Sequence, residues 1–354
     1  MSRSLAVVLT GLWLAGCTSE VTPILDCVAE DHLEPDCRFQ NPEDLARTPG
    51  GDWLIVSQFG AMDSSRSGSI AAYQPASGRI EELFPVGAME DVRTWGEPAC
   101  APPDPELFAP HGIDLERRDD GGLMLLVVNH GGRESVEFFE VEESNAGLGL
   151  LWRGCALGPE DAFFNDVVAR RDGGFWVTHM MPMSGQGLAQ LQAVVFGMDT
   201  GFVYRWGPAG FVRVAGTDAP FPNGIEKSAD ERFLYVNSYL GDEVRKIDAD
   251  SGEVVARARV AKPDNSSWAD DGRLLVASHT DSLGELLACA EITEGACGYA
   301  FEIVALDPDT LEGFAWLSHR GAPWVVQRWR WNWGPTSISV RLPAIASRAG
   351  GCRG

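Results

Sequence analysis

The chain has 354 residues, with 28 basic and 51 acidic side chains, a formal net charge of −23 and 45% hydrophobic residues. That length allows one large or two ordinary domains with a substantial core, and the hydrophobic fraction excludes disorder and collagen-like repetition. So acidic a chain lacks the basic surface that displaces counterions from a phosphate backbone, and no nucleic-acid partner is expected.

At the N-terminus, Arg3 precedes a short apolar run, Leu5 to Ala15, too brief to span a bilayer and suited to a secretory signal. The residues Leu14-Ala15-Gly16-Cys17 resemble a bacterial lipobox. The resemblance implies a lipoprotein signal peptide over residues 1–16, acylation of Cys17 and a lipidated stalk over residues 17–36. An exported protein is expected, anchored through lipid alone to a bacterial membrane and facing the periplasm or cell surface. Export puts the other cysteines (27, 37, 100, 155, 289, 297 and 352) in an oxidising compartment. None forms a C-x2-C pair, which argues against a zinc ribbon. Spacing does not determine connectivity; the expected bridges are Cys27–Cys37, Cys100–Cys155 and Cys289–Cys297, with Cys352 left over.

From residue 50 onward, short hydrophobic runs alternate with turn signals. They include Trp53-Leu54-Ile55-Val56-Ser57, Leu123 to Val128, Phe175-Trp176-Val177-Thr178, Phe233-Leu234-Tyr235-Val236-Asn237 and Leu274-Leu275-Val276-Ala277. All are short, apolar and bounded by Gly, Asp, Asn or Pro, as strands are. No stretch shows sustained helical periodicity with caps. Polar lead-ins recur at 44, 111, 166, 223 and 265, a period of about 40 to 70 residues, the length of a four-stranded propeller blade. The expectation is an all-β, six-bladed β-propeller over residues 37–319; a β-sandwich would not explain the recurring lead-in. Met180 to Met198 is too long for a hairpin loop and reads either as an apolar lid or wall, or as a surface insertion.

No G-x-S-x-G, H-E-x-x-H or P-loop occurs. Asp248-Ala-Asp-Ser-Gly252 hints at an EF-hand, but its Gly and Glu are misplaced, and a hairpin turn is the better reading. In a propeller the lead-ins converge beside the central channel. Here they are Glu43-Asp44, His111, Asn165-Asp166, Asn223 and Asp264-Asn265. Carboxylates and amides are hard oxygen donors, suited to Ca2+, which takes six to eight oxygens at about 2.3–2.6 Å; zinc and copper fit poorly. A bound Ca2+ polarises a carbonyl and stabilises the developing oxyanion, but it acidifies water less than zinc does, so a base such as His111 is still needed.

Phe108-Ala-Pro-His111-Gly-Ile113-Asp, followed by Val127-Val128-Asn129-His130, resembles the paraoxonase/arylesterase family, relatives of the regucalcin–gluconolactonase propellers. So do Phe164-Asn165-Asp166-Val, Pro222-Asn223-Gly-Ile and Pro263-Asp264-Asn265. The resemblance implies a central tunnel with two calcium ions. Glu43, Asn165, Asn223, Asp264 and Asn265 would bind the catalytic ion, and Asp44, Asp166 and the Ile113 carbonyl the structural one. It also implies His111 as general base, His130 as proton relay, and a small-molecule ester or lactone as substrate for a monomeric hydrolase. His179 reads as packing, with a place at the pocket border as the alternative. The lipid-particle helices of mammalian members are not expected here. The alternatives are a non-catalytic surface propeller stapled by calcium, or a sugar-lactone or phosphotriester hydrolase.

Residues 320–354 read differently, with six Arg, four Trp and no Asp or Glu. Trp has one codon, so in the frame starting one base earlier Trp329, Trp331 and Trp333 become alternating aliphatics, as in a strand. The expectation is an atypical basic tail left by a frameshift near residue 320, an incomplete last blade and an unpaired Cys352.

Overall fold

A computed structural model describes residue 28 and residues 35–60, 66–85, 95–144, 147–282, 284–285, 298, 300–319 and 339–340. After β1 (Pro35–Asp36) come four-stranded antiparallel meanders, each paired in chain order. Blade one is β2 (Pro42–Arg47), β3 (Leu54–Gln58), β4 (Ser69–Gln74) and β5 (Arg79–Phe84). Blade two is β6 (Pro110–Arg117), β7 (Leu123–Asn129), β8 (Ser135–Ser144) and β9 (Gly147–Leu157). Blade three has β10 (Phe164–Ala169), β11 (Phe175–His179), β12 (Phe202–Gly207) and β13 (Gly210–Arg213), with α1 (Gln186–Phe196) between β11 and β12. Blade four is β14 (Pro222–Lys227), β15 (Phe233–Ser238), β16 (Glu243–Asp248) and β17 (Val254–Arg259). Blade five is β18 (Pro263–Trp268), β19 (Leu274–His279), β20 (Phe301–Leu306) and β21 (Gly313–His319).

The apolar core lies in layers between blades, which explains why the second strands read as continuous hydrophobic runs. All seven residues of β7 are buried. Leu123, Leu125 and Val127 pack toward blade one, while Met124, Leu126 and Val128 pack toward blade three, following the two-residue period of a strand. In β15, Leu234 and Val236 likewise face blade three and Tyr235 faces blade five. Phe175 and Trp206 stack at 5.2 Å between blades two and three. The Cys100–Cys155 disulfide joins the segment before β6 to β9, as expected. Cys37 is disulfide-bonded as well; Cys27, Cys289, Cys297 and Cys352 lie outside the described residues, as does Cys17.

Two expectations need correction. The described residues form five four-stranded blades, not six. Each polar lead-in opens one blade, and the sequence carries five; the sixth was inferred from length and resemblance. Beyond the blades, β1 pairs only with β22 (Ser339–Val340), as a two-stranded sheet. Blade five is packed on one side, with Leu274 and Val276 buried but Leu275 and Ala277 only part-buried. The rest of the tail lies outside the described residues. Second, Met180 to Met198 contains a helix, α1. Its ends carry Gly185 and Gly197 in left-handed conformation and no side-chain N-cap, and its apolar residues leave no clean stripe, so no periodicity announced it. Ala189 and Ala193 are its inward side, whereas Leu188, Leu191, Val195 and Phe196 are exposed. The Asp248 segment is a hairpin turn as read, with Asp248 Oδ1 accepting the Ser251 amide at 3.0 Å.

Candidate active site and cation site

Every blade opens on the same irregularity. The pairing of first and second strands shifts between Pro42 and Asp44, Pro110 and Ile113, Phe164 and Val167, Pro222 and Ile225, and Pro263 and Ser266. The polar lead-ins sit within these shifts. A bulge leaves a residue outside the ladder and re-aims its side chain. Here it gathers polar groups from five distant segments at the blade starts.

Second-strand ends lock the bulges. Ser57 Oγ accepts the Asp44 amide at 2.9 Å, and Thr178 Oγ1 accepts the Asp166 amide at 3.0 Å while donating to the Asn223 carbonyl at 2.6 Å. Asn237 Nδ2 donates to the Asp264 carbonyl and to Ser266 Oγ. Neighbouring blades are then tied by carboxylates that accept amides. Ile113 donates to Asp44 Oδ2 and Ile225 to Asp166 Oδ2, both at 2.8 Å. Asn265 Nδ2 donates to the Glu43 carbonyl at 3.1 Å, linking the fifth lead-in to the first.

His111 lies in a row of polar groups. Its Nε2 is 2.8 Å from Glu43 Oε1, and its Nδ1 is 2.9 Å from His130 Nε2. His130 Nδ1 is 2.8 Å from Glu134 Oε2. Phe59 packs edge-on to His111 at 5.5 Å, and Phe163 flanks His130 at 5.0 Å. Burial first, and then the His130 imidazole, push the His111 pKa well below its ordinary value, with Glu134 opposing. His111 is therefore neutral at neutral pH, as a base must be.

Glu43, Asn165, Asp166, Asn223, Asp264 and Asn265 fall within the bulges and Asp44 and Ile113 at their edges, and several have polar atoms in need of a partner. The side-chain oxygens of Asn165, Asn223 and Asn265 are buried with no hydrogen-bond donor. The Asn223 amide nitrogen is likewise buried without an acceptor, and Asn165 Nδ2 reaches only Met180 Sδ at 3.4 Å. Leaving such groups unpaired costs about 1–3 kcal/mol each. Burial also pushes the Asp44 and Asp166 carboxyls well above their usual range; Glu43 adds to this for Asp44, and Asp44 for Asp166. An oxygen-liganded cation relieves both penalties, so the donor set fits calcium. The Ile113 amide that donates to Asp44 leaves the role expected of the Ile113 carbonyl as it stood. Among the described residues no group of three or more His, Cys, Asp or Glu forms a metal cluster; the set depends on its asparagines.

Other participants escaped the sequence reading. Glu134 has no motif around it. His279, also without one, is 1% exposed, bonded through Nδ1 to the Tyr239 hydroxyl at 2.8 Å, and held by burial at a pKa of about 3. Met180 and Met181 form a buried apolar wall with Phe221 and Tyr239, against which Phe163 and Ala189 of α1 pack. His179 is 6% exposed and accepts the Phe163 amide at 3.1 Å, a packing role.

The family model described as SMP-30/Gluconolactonase/LRE-like region matches residues 115–291, half of the chain. Human serum paraoxonase/arylesterase 1 is 31% identical over 143 residues, which cover 40% of this chain and 39% of the relative. Dog serum paraoxonase/arylesterase 2 is 29% identical over 179 residues, 49% of either chain. The chain thus spans half or less of these curated relatives. A gluconolactonase from Xanthomonas campestris, 17% identical, covers 85% of this chain and 89% of its own, with a TM-score of 0.46.

Proposed function

The chain belongs to the SMP-30/gluconolactonase/LRE-like family, and on that footing we propose that it is a calcium-dependent hydrolase of lactones or aryl esters acting as a monomer. The observation that carries the reading is the row Glu43–His111–His130, set beside buried asparagine oxygens that lack donors. Glu43, Asn165, Asn223, Asp264 and Asn265 would hold a catalytic ion, and Asp44, Asp166 and the Ile113 carbonyl a structural one. When bound, calcium supplies Lewis-acid polarisation of the carbonyl and stabilisation of its oxyanion.

The remaining chemistry belongs to the side chains. His111, neutral because it is buried, takes a proton from water at Nε2, and His130 supports Nδ1. In this structure Nε2 is engaged by Glu43, so base action requires Glu43 to release it, as a Glu43 committed to a cation would. The wall of Met180, Phe221 and Tyr239 offers an apolar bed for the acyl or aryl part of the substrate.

The test is hydrolysis of a panel of lactones and aryl esters with and without chelator, by the native protein and by His111→Gln. Activity that is lost with chelator and in the variant, with the variant's melting temperature preserved, is expected. A fully active variant would move the base elsewhere. A panel-inactive native protein that chelator nonetheless destabilises would favour the calcium-stapled, partner-binding reading.

Membrane attachment is also proposed to run through a lipid on Cys17. Among the described residues no helix is long and apolar enough to cross a membrane. If the Cys17 lipid is the anchor, Cys17→Ser should move the protein from the membrane to the soluble fraction, and continued membrane association would point to a protein partner.

A further inference from the structure

We propose that Glu134 is a positioning residue that sets the polarity of the imidazole row, so that the lone pair of His111 lies on Nε2 rather than Nδ1. The inference rests on the hydrolase reading above. Glu134 is held between two blades: Oε1 accepts the Phe164 amide of β10 at 2.6 Å, and Oε2 lies 2.8 Å from His130 Nδ1. The side chains of His130 and Glu134 are only 10% and 9% exposed.

A backbone amide only donates, so it claims Oε1 as an acceptor and fixes which oxygen faces His130. A carboxylate oxygen facing Nδ1 places the hydrogen of His130 on Nδ1 and its lone pair on Nε2. That lone pair lies 2.9 Å from His111 Nδ1, which then carries the hydrogen of His111. The lone pair of His111 falls on Nε2 once Glu43 releases that nitrogen; while Glu43 Oε1 faces it at 2.8 Å, Glu43 and Glu134 compete to place a hydrogen at opposite ends of the row. With the opposite polarity His111 would present an N–H there and could not act as a base. Two imidazoles in series thus carry a choice made at Glu134 to the reacting end.

Glu134→Gln keeps the shape and reverses the choice. The Phe164 amide again claims the side-chain oxygen, which turns the Gln NH2 toward His130 Nδ1 and makes that nitrogen an acceptor. We expect kcat to fall about 100-fold, within the range for general-base loss, with KM within about twofold and the melting temperature nearly unchanged. Glu134→Asp, which retains an acceptor, should keep more activity than Gln. Added to His130→Gln, the Glu134→Gln change should cost little more, because the two residues act as a unit.

Nitrogen-15 NMR of the resting full chain reads the tautomer directly. The hydrogen of His130 should be on Nδ1 in the native protein and on Nε2 in Glu134→Gln. An Nε2–H native tautomer, a tautomer indifferent to Glu134, or an unchanged kcat in an active enzyme would each overturn the inference. If the native protein hydrolyses nothing on the panel, the hydrolase reading fails, and the NMR alone decides whether Glu134 orients the row.

Discussion

His179 and His111 are both buried imidazoles, yet their partners give them different work. His111 faces another imidazole and a carboxylate, while His179 accepts one backbone amide and packs beside Phe202 and Tyr204. Burial lowers the His179 pKa from 6.5 to about 4. The unfolded chain therefore takes up this proton first, and the neutral ring favours the folded state fully above about pH 6.5. That stabilisation, on the order of 3 kcal/mol, is lost as the pH falls toward 4. In His179→Gln the urea midpoint should drop less between pH 7 and pH 4.5 than in the native protein. Equal drops would show that other groups carry the acid response. At this scale the sequence was legible where a residue had a motif around it, as at His111 and Asn223. Glu134 was invisible because its role depends on an amide from the next blade.

The bulged first strand is the element that builds the site, and it tolerates little added volume. A Cβ on Gly112 would lie 2.5 Å from the Asp166 Cα and 2.7 Å from the Asn165 carbonyl. Gly112→Ala should therefore push two lead-in strands apart, costing about 1–3 kcal/mol by overpacking. Gly207, which has open space around its Cβ position, is the matched control. A lower urea midpoint for Gly112→Ala than for Gly207→Ala is the expected result; equal midpoints would mean that the strands can yield. The runs read as strands became β3, β7, β11, β15 and β19, the second strand of every blade. Their closing polar residues were also visible: Ser57, Asn129, Thr178 and Asn237 each end an apolar run, and each is fully buried. What could not be read was their use, since a locking hydrogen bond joins segments that periodicity treats separately. The helix α1 was missed for the opposite reason, a local element without its usual local marks.

Across the whole molecule, the blade unit was legible and the blade count was not. A meander repeats its signals every few dozen residues, whereas a count depends on what happens at the ends of the chain. There the described residues offer the two-residue pairing of β1 with β22, and the sequence has a stretch from 320 to 354 whose composition departs from everything before it. The hydrogen bond from Asn265 to the Glu43 carbonyl has a kinetic consequence. Within each blade the strands pair only with their chain neighbours, so five meanders can form from short-range contacts, in any order, as soon as their residues are available. The latch between the first and fifth lead-ins spans 222 positions. Closing so long a loop in an open chain costs about 5 kcal/mol of entropy, and little of that cost remains once the intervening blades are compact. Glu43 and Asn265 therefore meet late, after the fifth lead-in has been synthesised, and a nascent chain cannot assemble the site prematurely.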